Sequence, residues 1–140
     1  INVPNATSRV SKLVIDETNL FGTGFTTPLN LIKNLNIAAG VAYAYRNVMQ
    51  LDTEATSPSA TDSLDYIYDR SGTAITKGLV DGQRITISPV NSARDIIVKH
   101  NTGNILLKGA ADFTLLTTSK FIVLEWNNSL GKWFEVGRCA

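Results

Sequence analysis

One cysteine, Cys139, and one histidine, His100, occur in the 140 residues. A lone cysteine excludes an internal disulfide, and nothing beside Cys139 joins a histidine to a base, so an inert thiol near the end of the chain is expected. A lone histidine excludes a multi-histidine zinc site within one chain. Three copies around an axis could still bring His100 together three times; a turn-flanking polar residue beside Asn101 is the simpler reading. Charge is also scarce. Thirteen Lys and Arg against twelve Asp and Glu leave a net charge of +1, and no basic run exists to neutralise a row of phosphates. Nucleic acid is therefore not an expected partner. No apolar stretch approaches the roughly 20 residues that span a bilayer, so membrane insertion is not expected. The chain starts at Ile1 with no charged-then-apolar leader, which points to a piece of a longer or processed polypeptide.

What the chain does have is an apolar share of 44% and a polar remainder rich in Thr, Ser and Asn. These uncharged hydrogen-bonding residues suit strand surfaces and turns. The length fits one domain, 1–140, with a core large enough to need no metal or disulfide. Residues 1–25 read as a lead-in, with a short strand at Lys12–Asp16 and a loop over Asn19–Thr27. The glycines at 22 and 24 lack the third glycine of a dinucleotide fingerprint and mark a turn. Leu29–Ile37 is the one helical candidate, from Leu29, Ile32 and Leu35 and a Pro28 start; its asparagines leave a strand or loop as competitors.

From Gly40 onward the pattern is β. Val41–Tyr45 alternates small and aromatic, and Asn47–Leu51 continues it or forms the next strand. Thr53–Ser63 reads as an exposed loop. Leu64–Asp69 places Leu64, Tyr66 and Tyr68 on one face, and Arg70-Ser71-Gly72 marks a turn. Asp81-Gly82 announces a strand at Arg84–Ser88; further strands are expected at Asp95–His100, Asn104–Leu107, Phe113–Leu116 and Lys120–Trp126. The last should pair as a hairpin with Lys132–Val136. Short, regularly spaced strands indicate an all-β domain, either a jelly-roll-like fold or a β-sandwich.

Strand side chains alternate faces, yet Phe121-Ile122-Val123-Leu124 is apolar on both, as are Ile96 with Ile97 and Leu106 with Leu107. A small single chain has little material to cover both faces. A second copy of the chain or the domain's own loops would have to supply the cover.

The closing residues carry a recognisable series. It runs Asp81-Gly82-Gln83-Arg84-Ile85-Thr86-Ile87, then Asp95-Ile96-Ile97-Val98-Lys99-His100-Asn101, then Gly103-Asn104-Ile105-Leu106-Leu107-Lys108-Gly109. Ala111-Asp112-Phe113-Thr114-Leu115, Phe121–Trp126 and Lys132-Trp133-Phe134-Glu135-Val136-Gly137-Arg138 complete it. Over 81–138 the sequence resembles the C-terminal β module of bacteriophage tail spikes and tail fibres; residues 1–80 match nothing recognisable. The resemblance implies a homotrimeric tip at the distal end of a virion tail appendage. It also implies that host cell-surface polysaccharide or lipopolysaccharide is the partner. Asn5-Ala6-Thr7 and Asn127-Asn128-Ser129 match the glycosylation pattern, and in a phage protein made in bacteria are chance matches.

Few groups suit catalysis. Asp65 and Asp69, read as i and i+4 of one strand, would stand roughly 13 Å apart, too far for a glycosidase pair. Glu125 and Glu135, on strands expected to pair, could approach; solvated ion pairs involving Lys132 are the simpler reading. No G-x-S-x-G elbow occurs. No enzyme activity, cofactor or metal is expected. Glycan binding needs aromatic faces beside polar groups, and alternation places Tyr43 with Tyr45 and Tyr66 with Tyr68. These four, with Asp65 and Arg70, are the candidate ligand-binding residues; a core or interface stripe with hydroxyls at its rim is the competing role. The functional expectation is trimerisation and glycan receptor binding. The alternatives are an inter-subunit glycan depolymerase subdomain and a purely structural capsid or tail decoration protein.

Overall fold

The computed structural model describes residues 35–54, 60–69 and 79–139. The expected strand at 12–16, the loop at 19–27, most of the 29–37 segment and the turn at 70–72 lie outside them. Among the described residues every regular element is a strand. Leu35–Asn36 forms β1, so the end of the helical candidate is extended, as the asparagines allow. Ala39 and Gly40 then turn the chain with φ of 50° and 78°, and Ala38 and Val41 exchange both backbone hydrogen bonds. Two successive positive φ values are the signature of a type I′ hairpin turn.

The remaining strands are β2 (Val41–Ala44), β3 (Val48–Asp52), β4 (Thr61–Leu64), β5 (Tyr66–Asp69) and β6 (Arg84–Pro89). They are followed by β7 (Asp95–Val98), β8 (Ile105–Leu106), β9 (Phe113–Leu115), β10 (Phe121–Asn127) and β11 (Lys132–Cys139). The largest sheet has the order β1-β3-β6-β10-β11-β8; β4-β7-β9 and β2-β5 form two smaller sheets. The inner faces of all three meet in one core. Met49, Leu51, Ile85, Ile87, Ile122, Leu124, Trp126 and Trp133 come from the large sheet. Ile96, Val98, Leu64, Leu115, Ile67, Ala42 and Ala44 come from the other two. The indole rings of Trp126 and Trp133 pack at 5.4 Å between centroids.

The hairpin of β10 with β11 forms as expected, with a register shift after Val123. The strand pairing adds a feature that strand spacing does not carry, and one expectation changes. Most pairings are parallel, including β3 with β6, β4 with β7, β2 with β5 and β11 with β8. The connections therefore cross between sheets, as parallel neighbours require. The loop expected over 53–63 also contracts: Thr61–Leu64 is strand, and Thr53 is fully buried. Asn36 Nδ2 donates to the Thr53 carbonyl, and Arg94 grips Asp52 at 2.8 Å next to it, which holds this stretch against the sheet.

The two-face argument for β10 resolves into two different surfaces. Ile122, Leu124 and Trp126 lie in the domain's own core. Phe121 is exposed and Val123 half-buried on the outer face, Val123 in register with Thr86 of β6 and, beyond it, Val48 of β3. Cys139 is no loose tail residue; it is half-buried at the end of β11, opposite Phe121.

A tyrosine platform on the smallest sheet

Strand β2 puts Ala42 and Ala44 inward and strand β5 puts Ile67 and Asp69 inward. The small alanines let β2 lie close over the core. Strict alternation then forces Tyr43, Tyr66 and Tyr68 to the opposite face, and the parallel register sets Tyr43 beside Tyr68. Tyr45 follows directly after β2 and is 49% exposed. The rings make one continuous chain: Tyr45 to Tyr43 at 6.0 Å, Tyr43 to Tyr68 at 6.1 Å, and Tyr68 to Tyr66 at 5.6 Å. Tilted and edge-on contacts of this kind are the favoured aromatic geometries. All four tyrosines of the protein are thus gathered on one outward surface.

The expectation that Leu64, Tyr66 and Tyr68 share a face fails at Asp65. That residue interrupts the strand between β4 and β5, so the alternation resets: Leu64 and Ile67 are both fully buried. The N–H groups of Asp65 and Tyr66 both donate to Gly40 O, at 2.8 and 3.0 Å. A Cβ on Gly40 would sit 2.5 Å from Asp65 Oδ2, so the carboxylate lies directly over the glycine at one end of the platform. Asp69 is buried and Asp65 half-buried, so the two carboxylates lie in different surroundings. Arg70 lies outside the described residues.

The platform is anchored to the large sheet by a residue the sequence did not single out. The buried Asn104 side chain accepts from Ile67 N–H at 2.9 Å and donates to Ile67 C=O at 2.9 Å, replacing a neighbouring strand. Trp133 Nε1 donates to the same carbonyl at 3.1 Å. Gly103 passes so close that a Cβ there would be 2.2 Å from Asp65 O and 2.9 Å from the Tyr66 ring. Lys132 Nζ donates to Asn101 Oδ1 at 2.6 Å and to Gly103 O, closing the turn beneath Tyr66. A lone asparagine ahead of a strand carries no sign that it will clasp a strand distant in sequence, so only the fold identifies it.

The other chemical candidates separate. Leu124 is opposite Glu135 and Glu125 opposite Phe134, so the two glutamates occupy opposite faces of the sheet. Glu125 pairs with exposed Arg84 at 2.6 Å. Glu135 is buried, with Arg138 bound to its carboxylate and Lys108 N–H donating at 2.8 Å. Burial opposes ionisation of Glu135, but the Arg138 guanidinium and the Lys108 N–H prevail and hold its carboxyl below the ordinary value. Arg138 also stacks on the Phe113 ring at 4.2 Å. The exposed Lys99–Asp112 pair behaves alike: hydrogen bonding to Lys99 and then to His100 N–H lowers the Asp112 carboxyl, and the bond to Asp112 raises Lys99. Among the described residues no three His, Cys, Asp or Glu side chains are placed to hold a metal ion.

The comparisons with known proteins give one result and one absence. A family model described as the phage depolymerase C-terminal beta sandwich domain matches residues 41–133. The match starts well before Asp81, so it takes in the tyrosine strands that resemblance alone left unplaced. No curated protein matches the chain. With most of its length matched by that model, the chain belongs to the family of phage depolymerase C-terminal beta sandwich domains.

Proposed function

We propose that this domain is a non-catalytic, homotrimeric module at the distal end of a phage tail spike, and that it binds host cell-surface polysaccharide through the tyrosine platform. One observation carries the reading: all four tyrosines form an unbroken outward chain of rings beside the Asp65 carboxylate. Aromatic faces offer rigid, amphipathic contact area at low entropic cost, and hydroxyls and carboxylates at their edge orient a polar ligand. A surface built only for the domain's own core would not leave Tyr45 half exposed. The trimer is supported by the outer face of the large sheet, where Phe121 is exposed on β10 and Val48, across Thr86 from Val123, is 65% exposed.

The test is polysaccharide binding by calorimetry, run beside a reducing-end assay on the same samples. The wild-type chain should bind saturably and release no product. Tyr43→Ala and Tyr68→Ala, at the centre of the ring chain, should each weaken binding about tenfold, or ~1.4 kcal/mol, with the fold intact. Product formation that depends on this chain would replace the proposal with the depolymerase alternative. Unchanged binding in both variants would move the site elsewhere.

A further inference from the structure

We propose that His100 is a proton-sensitive latch on the tyrosine platform; its regulatory meaning rests on the platform being the binding surface. His100 Nδ1 accepts a hydrogen bond from the backbone N–H of Leu107 at 3.0 Å. Only a neutral imidazole protonated on Nε2 can accept at Nδ1, because an imidazolium carries a donor on both nitrogens and no acceptor. A proton arriving at Nδ1 of the half-buried His100 therefore sets two donors against each other over the buried Leu107, and the bond must open.

That bond fastens the start of the 100–107 turn to its end. Within the turn, Asn101 N–H donates to Ile105 O at 2.8 Å, with Asn101 held at φ of 56°. Gly103 presses on Asp65 and Tyr66, and Asn104 clasps both polar groups of the Ile67 backbone. The turn thus supports Asp65, Tyr66 and Ile67, and His100 is its fastening. The charged groups around it come from each neighbouring element. Asp112 accepts from His100 N–H at 2.8 Å and pairs with Lys99, which in turn lies in the field of Asp65. Lys132 caps Asn101, and Lys108 reaches away to Val136 O.

The experiment follows backbone and indole N–H resonances of the 140-residue chain by NMR from about pH 8 to pH 5, without ligand. At the high end the His100 ring should carry its proton on Nε2. On acidification the Leu107 and Ile67 amides, the Asn104 side-chain amide and the Trp133 indole should titrate together with the His100 ring. The Trp126 indole, which donates to Asn128 instead, should stay still. In His100→Asn the Oδ1 can take the Leu107 N–H and does not titrate, so the coupled movement should vanish. Movement confined to Leu107, movement that persists in His100→Asn, or an Nδ1–H ring at high pH would each overturn the latch. Polysaccharide binding over the same range should fall several-fold in wild type and hold steady in His100→Asn. Coupled titration with pH-independent binding would overturn its regulatory role. Absence of binding at every pH would instead overturn the platform's proposed function, and the ligand-free titration would still decide the latch.

Discussion

Glu135 shows how a single side chain closes the end of the chain. Its carboxylate holds Arg138 and the Lys108 N–H, and Arg138 in turn donates to Lys108 O and covers Phe113. Because the folded carboxyl lies below its unfolded value, the ionised form stabilises the fold. That contribution is complete above the unfolded glutamate value of about 4.3 and is lost as pH falls through the lower folded value. Glu135→Gln should cost about 1–3 kcal/mol in denaturant unfolding at pH 7, and should flatten the acid limb of the stability profile below about pH 4.3. An unchanged acid limb would place the pH dependence elsewhere. At this scale the pairing of Tyr43 with Tyr45 and of Tyr66 with Tyr68 was legible in the sequence because strand alternation fixes a face from parity alone; that the two pairs join on one surface was not, since it depends on the register of β2 with β5. Glu135 was not, since Glu125 and Glu135 differ only in which of two paired strands they occupy, and the register that sends one inward is invisible in either strand. Asn104 was illegible for a related reason: its partner lies 37 positions away.

Between β4 and β5 a single residue, Asp65, changes which side chains face out. An uninterrupted strand from Leu64 to Asp69 would have put Leu64 with the tyrosines. The break sends Leu64 into the core and leaves the tyrosines clear, and it is fixed by Gly40 on one side and Gly103 on the other. Gly103→Ala would place a methyl against the Asp65 backbone, which cannot yield as a flexible side chain does. A loss of about 1–3 kcal/mol is expected, with larger chemical-shift changes at Tyr66 and Ile67 than at the β10–β11 hairpin. Equal stability would mean that the close approach does not fix the break. The hairpin itself was readable, because a long apolar run, a polar turn and a second run leave one pairing. The parallel pairings were not: periodicity states which residues point the same way and says nothing about which distant strand lies alongside. The β4 strand was lost for want of apolar residues, since Thr61, Asp62 and Ser63 read as loop until a neighbour supplies their hydrogen bonds.

On the scale of the whole molecule, the proposed trimer would use the face of the large sheet that the core does not. Ile122 and Leu124 are sealed in the core, so an aspartate at either would unfold the domain whatever its oligomeric state. Phe121 and Val123 sit on the outer face with Val48, and the proposed trimer would bury them. Val123→Asp should therefore keep the circular dichroism of the fold while lowering the assembled mass. The all-β class and the family emerged from strand spacing and closing motifs alone, whereas what covers this face did not, because apolar residues on a second face do not name their cover. Light scattering coupled to size exclusion, over a wide concentration range, addresses the central claim most directly. The account predicts a concentration-independent mass of three chains for the wild type. A persistent monomer would contradict it, leaving the outer face of β10 uncovered and the domain a self-contained binding module.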